Sequence, residues 1–324
     1  MDGERCIEQI RARIQNRSHV CLEPSTSCGR IPIEGTRLRP IFLNPTESRL
    51  RAGWRILLFV VATMAASAGL LFGIGASIGG RPEPGLGREF LGIGVVATVA
   101  TLLIPFARRY LDKRSVVSLG LRFDGFAVKD LVFGWLLSGL MAGTFFLILL
   151  AMGRLTVTGY GWSVAWVLPL LAYFVLDVIV GWWEELFFRG YLFDNMVAGM
   201  GVSLAILVSC VLYGLVHALN PNAGVLSSCI IVVFGFLRLF GLLTTKQLWL
   251  SMGMHMGWNF FQGAVFGFAA SGRATFRLIE HTTSGPAWLT GGNFGPEGSV
   301  LMLPILGVTL IVMWWWATRI LPRR

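Results

Sequence analysis

After residue 53 the chain is a succession of apolar runs, many of them about 18 residues or longer, separated by short polar joints. A helix of that length crosses a hydrocarbon core about 30 Å thick. Spans are expected near 54–79, 90–108, 130–152, 164–184, 202–219, 224–243, 248–269 and 298–318. The expected fold is therefore all-α, a polytopic transmembrane bundle of about eight helices. With 55% hydrophobic residues, 14% charged residues and a mean hydropathy of +0.68, the chain lacks the polar surface a soluble domain of this size requires.

The net charge of +10 comes largely from arginines in short joints and tails, and its direct reading is topology and attraction to anionic lipid. Arg37, Arg39, Arg49 and Arg51 precede the first span, and Arg108, Arg109, Lys113, Arg114, Arg122 and Lys129 follow the second. Placing both groups in the cytoplasm also places Arg189, Lys246, Arg319, Arg323 and Arg324 there. Arg81, Arg88, Arg154, Arg273 and Arg277 are left outside. Both termini are then cytoplasmic, as expected of an integral membrane protein with an even number of spans. Nucleic-acid binding has no support beyond the charge.

Residues 1–53 read as a partly disordered cytoplasmic tail without a signal-type apolar core, with a short helix conceivable over Met1–Ile10. Residues 54–129 hold two spans and a cytoplasmic loop, 130–270 the polar-bearing core, and 271–324 an outer loop, the last span and a short tail. The Gly-rich stretch Gly285–Gly298 is expected to be a flexible outer connection. Cys6, Cys21, Cys28, Cys210 and Cys229 form no C-x-x-C pair, so no zinc knuckle, redox site or structural disulfide is expected.

Charge inside the spans is costly, and it is concentrated between residues 184 and 259. In Glu184-Glu185-Leu186-Phe187-Phe188-Arg189, helical spacing sets Glu185 and Arg189 one turn apart and turns Glu184 about 100° away. One acid is then locked to the arginine, while the other is presented to a cavity as a candidate general base. The bland reading is a charged pair at a helix end. His217 follows Tyr213 by one turn, and His255 and Asn259 form another such pair in the run Leu248–Phe268. Each alone reads equally as interhelical glue. Together they supply a base, an imidazole to hold water and donors for an oxyanion, the parts of hydrolysis without a protein nucleophile. By donor type Glu184, His217 and His255 also suffice for a divalent metal such as zinc, although H-E-x-x-H is absent.

These residues resemble the CPBP intramembrane proteases, the CAAX protease and bacteriocin-processing or Abi family. Glu184, Glu185 and Arg189 match E-E-x-x-x-R, and His255 with Asn259 matches H-x-x-x-N. Tyr213 to His217 stands where F-x-x-x-H is usual, a departure that keeps an aromatic ring. The resemblance covers roughly residues 130–270 and implies a glutamate-dependent endopeptidase, similar to type II CAAX prenyl proteases, acting on a membrane-associated peptide or protein at the lipid bilayer. It implies Glu184 as base sharing the attacking water with His217, His255 and Asn259 as the oxyanion site, and Glu185, Arg189 and Tyr213 as supports. The family is often labelled metalloprotease, and it implies a bacterial plasma membrane. It also contains non-catalytic partner and immunity proteins, and a proton-coupled transporter is a further alternative.

Straight spans pose a problem of depth. Glu184 would end the fourth helix on one side and His217 the fifth on the other, about 22 Å apart. To share a water, the fourth helix must continue toward Asp194 or the fifth must be short and tilted.

Overall fold

The computed structural model describes residues 39–44, 47, 49–78, 85–161 and 163–320. The suggested Met1–Ile10 helix, most of the N-terminal tail, Cys6, Cys21 and Cys28, and the charges Arg37, Arg81, Arg323 and Arg324 lie outside them. A short antiparallel pair, β1 (Leu43–Asn44) with β2 (Arg49–Leu50), leads into α1 (Ala52–Ser77). There follow α2 (Leu86–Ala107), α3 (Ala127–Ala151), α4 (Val167–Glu184), α5 (Phe193–Met200), α6 (Val202–His217), α7 (Val225–Thr245), α8 (Trp249–Asn259) and α9 (Met302–Ile320). The bundle is helical, as the apolar runs require. Six helices among the described residues are long and apolar enough to cross a membrane. The fifth and seventh expected spans are shorter: α6 has 16 residues, and α8 has 11 before a π-helical turn, Phe260–Val265.

The shortness of α8 has a packing reason. It is the centre of the bundle, buried from Leu250 to Trp258, with α3, α4 and α7 against it. Glycines let it approach α3 backbone to backbone. A Cβ on Gly253 would lie 2.0 Å from the Leu131 carbonyl oxygen, and one on Gly257 2.6 Å from that of Trp135. Gly253→Ala is therefore expected to cost about 1–3 kcal/mol by forcing two helices apart, read as a lower Tm in detergent.

The problem of depth resolves in α4. Its helix does not stop at the glutamates but passes through a π-helical stretch, Glu185–Leu192, into α5, so one helical segment runs Val164–Met200. Leu186, Tyr191, Leu192, Phe193 and Met196 bury against the core and carry the helix onward. Gly201, with φ +80°, then turns the chain into α6. Glu184 precedes this turn by nearly as many residues as His217 follows it. Both thus sit about 24 Å from the turn, on adjacent antiparallel helices.

At that end of the bundle, arginines beside and within the first two helices are buried in an ionic cluster. Arg55 donates to Asp112 Oδ1 at 2.9 Å, Arg108 to Asp112 Oδ2 at 2.8 Å and to Asp194 at 2.7 Å, and Arg49 to the Asp112 carbonyl at 2.8 Å. The cluster ties together α1, the π-turn Arg108–Asp112 that ends α2, and α5. The other end carries a folded cap. Strand β3 (Leu155–Tyr160) pairs antiparallel with β4 (Ile279–Thr283), a ribbon the apolar pattern did not announce. The Gly285–Gly298 stretch is also ordered, contrary to expectation. Buried Glu297 accepts hydrogen bonds from Trp258 Nε1 at 2.8 Å and from Ser271 Oγ. At Gly295, φ is +96° and a Cβ would meet the Ala269 carbonyl oxygen at 2.0 Å, so only glycine fits. Cys210 is buried and Cys229 exposed, both as free thiols.

Within the cap, His281 packs against Phe268 and Phe146 at ring separations of 4.6 and 6.1 Å. Burial, with Arg277 nearby, pulls its imidazole down to about 4 from 6.5. The unfolded chain therefore takes up this proton first as pH falls. The contribution to stability is complete above the unfolded value and is lost between it and the folded one. On going from about pH 7 to about pH 4, the Tm of the native protein is expected to fall further than that of His281→Gln.

Candidate active site

The two adjacent glutamates occupy different surroundings because the helix turns one inward and leaves the other partly exposed. Glu185 is fully buried. Its Oε1 accepts from Arg189 Nη1 at 3.1 Å and from His255 Nδ1 at 2.8 Å, which clamps α4 to the central helix. The Glu184 side chain retains 16% exposure. Its Oε2 accepts the Tyr213 hydroxyl at 3.1 Å and lies 3.8 Å from His255 Nε2. His255 thus spans both acids.

His217 is half-buried, its ring centroid 4.3 Å from that of Tyr213 and its Nδ1 2.9 Å from the Tyr213 carbonyl oxygen. Because that carbonyl can only accept, Nδ1 carries a proton, and in the neutral ring Nε2 then presents a lone pair. The same reasoning applies to His255 against the Glu185 carboxylate. Its Nε2 donates only in the imidazolium form. Asn259 ends α8 one turn beyond His255 and makes no side-chain hydrogen bond among the described residues. Of the residues singled out in the sequence, Glu184, Glu185, Arg189, Tyr213 and His255 are in direct contact and His217 joins through Tyr213, while Asn259 shares only the helix.

In the glutamate helix the α-helix gives way to a π-turn that begins at Glu185 and includes Arg189, and in the histidine helix to one that begins at Phe260, directly after Asn259. Such turns recur at functional sites because the extra residue re-aims side chains.

Two residues escaped the sequence reading. Arg238, in the middle of α7, is buried and donates to the Tyr213 hydroxyl. Asp177 lies two turns before Glu184 on α4 and, by helical period, on the same side. The signal for both was the one that marked the glutamates, a charge inside an apolar span.

The metal set does not assemble. Among the described residues no group of three or more His, Cys, Asp or Glu side chains could hold a metal ion, Glu184 with His217 and His255 included. A cavity of about 300 Å³ lies under the cap, bordered by Asn222, Arg277 and His281, away from the glutamates.

All three motifs fall inside one stretch that matches a known family model. Residues 165–261 match the Rce1-like family, described as type II CAAX prenyl endopeptidase Rce1-like. The Rce1-like segment runs from the start of α4 to the π-turn after α8. It therefore contains each residue of the cluster, Arg238 included, but not the cap or α1 to α3. The resemblance to the CAAX protease family holds over this segment, and with it a CAAX-protease-like helical fold. No curated protein and no solved structure matches the chain.

Proposed function

We propose that the protein is an intramembrane endopeptidase that hydrolyses a peptide bond of a membrane-associated peptide or protein. The observation carrying this reading is the division of labour between adjacent carboxylates, Glu185 clamped by Arg189 and His255 and Glu184 held on one oxygen only. A lone charged pair at a helix end does not require such asymmetry.

In the reaction, Glu184 and the His217 Nε2 lone pair hold a water. Its oxygen attacks the scissile carbonyl carbon while its proton passes to Glu184. The carbonyl oxygen becomes an oxyanion, stabilised by the Asn259 amide and by His255. Collapse expels the amine, which takes the proton back from Glu184. Glu185 and Arg189 fix the orientation of His255, and no step is assigned to a metal. The protein works in the bilayer, with both termini in the cytoplasm of a bacterial plasma membrane.

The test is reconstituted protein presented with a library of membrane peptides. Cleavage is expected in the wild type and in the surface variant Arg122→Ala, and not in Glu184→Gln or His255→Ala. Wild-type cleavage that disappears with chelator and returns with zinc would replace the metal-free mechanism. A wild type that cleaves nothing would remove the protease reading.

A further inference from the structure

The Arg238–Tyr213 pair has no part in the hydrolytic scheme above, yet its position is costly. Arg238 is 3% exposed in the middle of a helix that crosses the apolar layer, where a guanidinium demands partners. It touches no carboxylate directly among the described residues. Instead it donates to the Tyr213 hydroxyl, which in turn donates to Glu184 Oε2 at 3.1 Å. A second guanidinium, that of Arg189, lies 3.9 Å from the centroid of the same phenol ring. Two cations on one phenol polarise its O–H and strengthen what it gives to the carboxylate. The Ser251 hydroxyl donates to the Arg238 carbonyl and fastens this stretch of α7 to α8.

We propose that Tyr213 and Arg238 form a positioning relay that anchors one oxygen of Glu184 and leaves the other to receive the proton of the attacking water. The inference rests on the reading of Glu184 as the base. The geometry accounts for the hydroxyl, the atom by which Tyr213 differs from the phenylalanine usual at the head of its motif. A ring alone would pack equally well against Phe188, His217 and Phe294. The hydroxyl adds the only direct hydrogen bond to the Glu184 carboxylate among the described residues, and Arg238 fixes where that hydroxyl points. It also matches charge. Glu185 is answered by Arg189 in direct contact, and Glu184 is answered by Arg238 through an interposed phenol.

The test uses the full chain in detergent, as wild type, Tyr213→Phe, Arg238→Met and the double variant. For each, the Glu184 carboxyl band is isolated as an infrared difference against the same protein carrying Glu184→Gln, and kcat and KM are measured on a cleaved peptide. Tyr213→Phe removes one oxygen and keeps the ring, so it is the deciding variant. It is expected to shift the carboxyl band and to lower kcat about ten- to a hundredfold, leaving KM within about twofold. Arg238→Met is expected to cost less activity in the Tyr213→Phe background than alone, since the relay is already broken. An unchanged carboxyl band in Tyr213→Phe overturns the relay, as does a loss confined to Tm and KM. If the band shifts but no form of the protein cleaves any peptide, the contact stands and the protease reading falls.

Discussion

Glu184→Gln is expected to lower kcat/KM for peptide cleavage by about 10²–10⁴-fold while leaving the bundle folded. The substitution keeps size and shape, and the amide oxygen can still accept the Tyr213 hydroxyl that Glu184 now holds at 3.1 Å. What it loses is the ability to take a proton from water. Glu185→Gln makes the instructive comparison. Glu185 is fully buried between Arg189 and His255, so weakening it leaves a guanidinium without its countercharge and frees the imidazole to rotate. It is expected to lower Tm together with activity. Glu184→Gln should lower activity alone, as measured by thermal unfolding in detergent beside peptide cleavage. Equal cleavage by Glu184→Gln and wild type would refute the assignment of the base.

Asp112→Ala is expected to be the most destabilising single change outside the site, by about 3–5 kcal/mol. The Asp112 side chain is completely buried, and it faces Arg55 and Arg108, whose side chains are 3% and 1% exposed. Among the described residues, removing the acid leaves buried Arg55 with no carboxylate and Arg108 with Asp194 alone, which also pairs with Arg114 at 3.4 Å. The cost is that of stranded charge rather than of a lost contact. Adding Arg55→Met to Asp112→Ala should therefore recover part of the loss, although it deletes a further side chain. Equilibrium unfolding in mixed micelles reads both variants. If the double variant is as unstable as the sum of the two single ones, the stranded-charge account fails.

Much of the bundle was legible as apolar length. Each expected span is a helix, because in lipid every backbone group must be satisfied within its own segment and a long apolar run has one way to do so. Ends were less legible. The fourth span seemed to finish at Glu184 because charge ordinarily marks an interface, yet here Arg189, His255 and Tyr213 receive the charges and the helix continues to Met200. The cap was misread for a related reason. Gly285–Gly298 has the composition of a flexible loop, but its glycines serve close backbone approach over the buried Glu297.

By itself the sequence determined the medium, the helical class and the chemical inventory of the site, since these follow from apolar length and from the cost of each charge placed within it. The three motifs also led to the family whose model matches residues 165–261. Only the tertiary structure decided depth and partners. A chain position does not say where a helix turns back, and the Gly201 turn is what brings Glu184 and His217 to one level. Spacing along one helix likewise cannot reveal a partner on another. Arg238 and Tyr213 are 25 residues apart in the chain and meet only because α6 and α7 pack side by side.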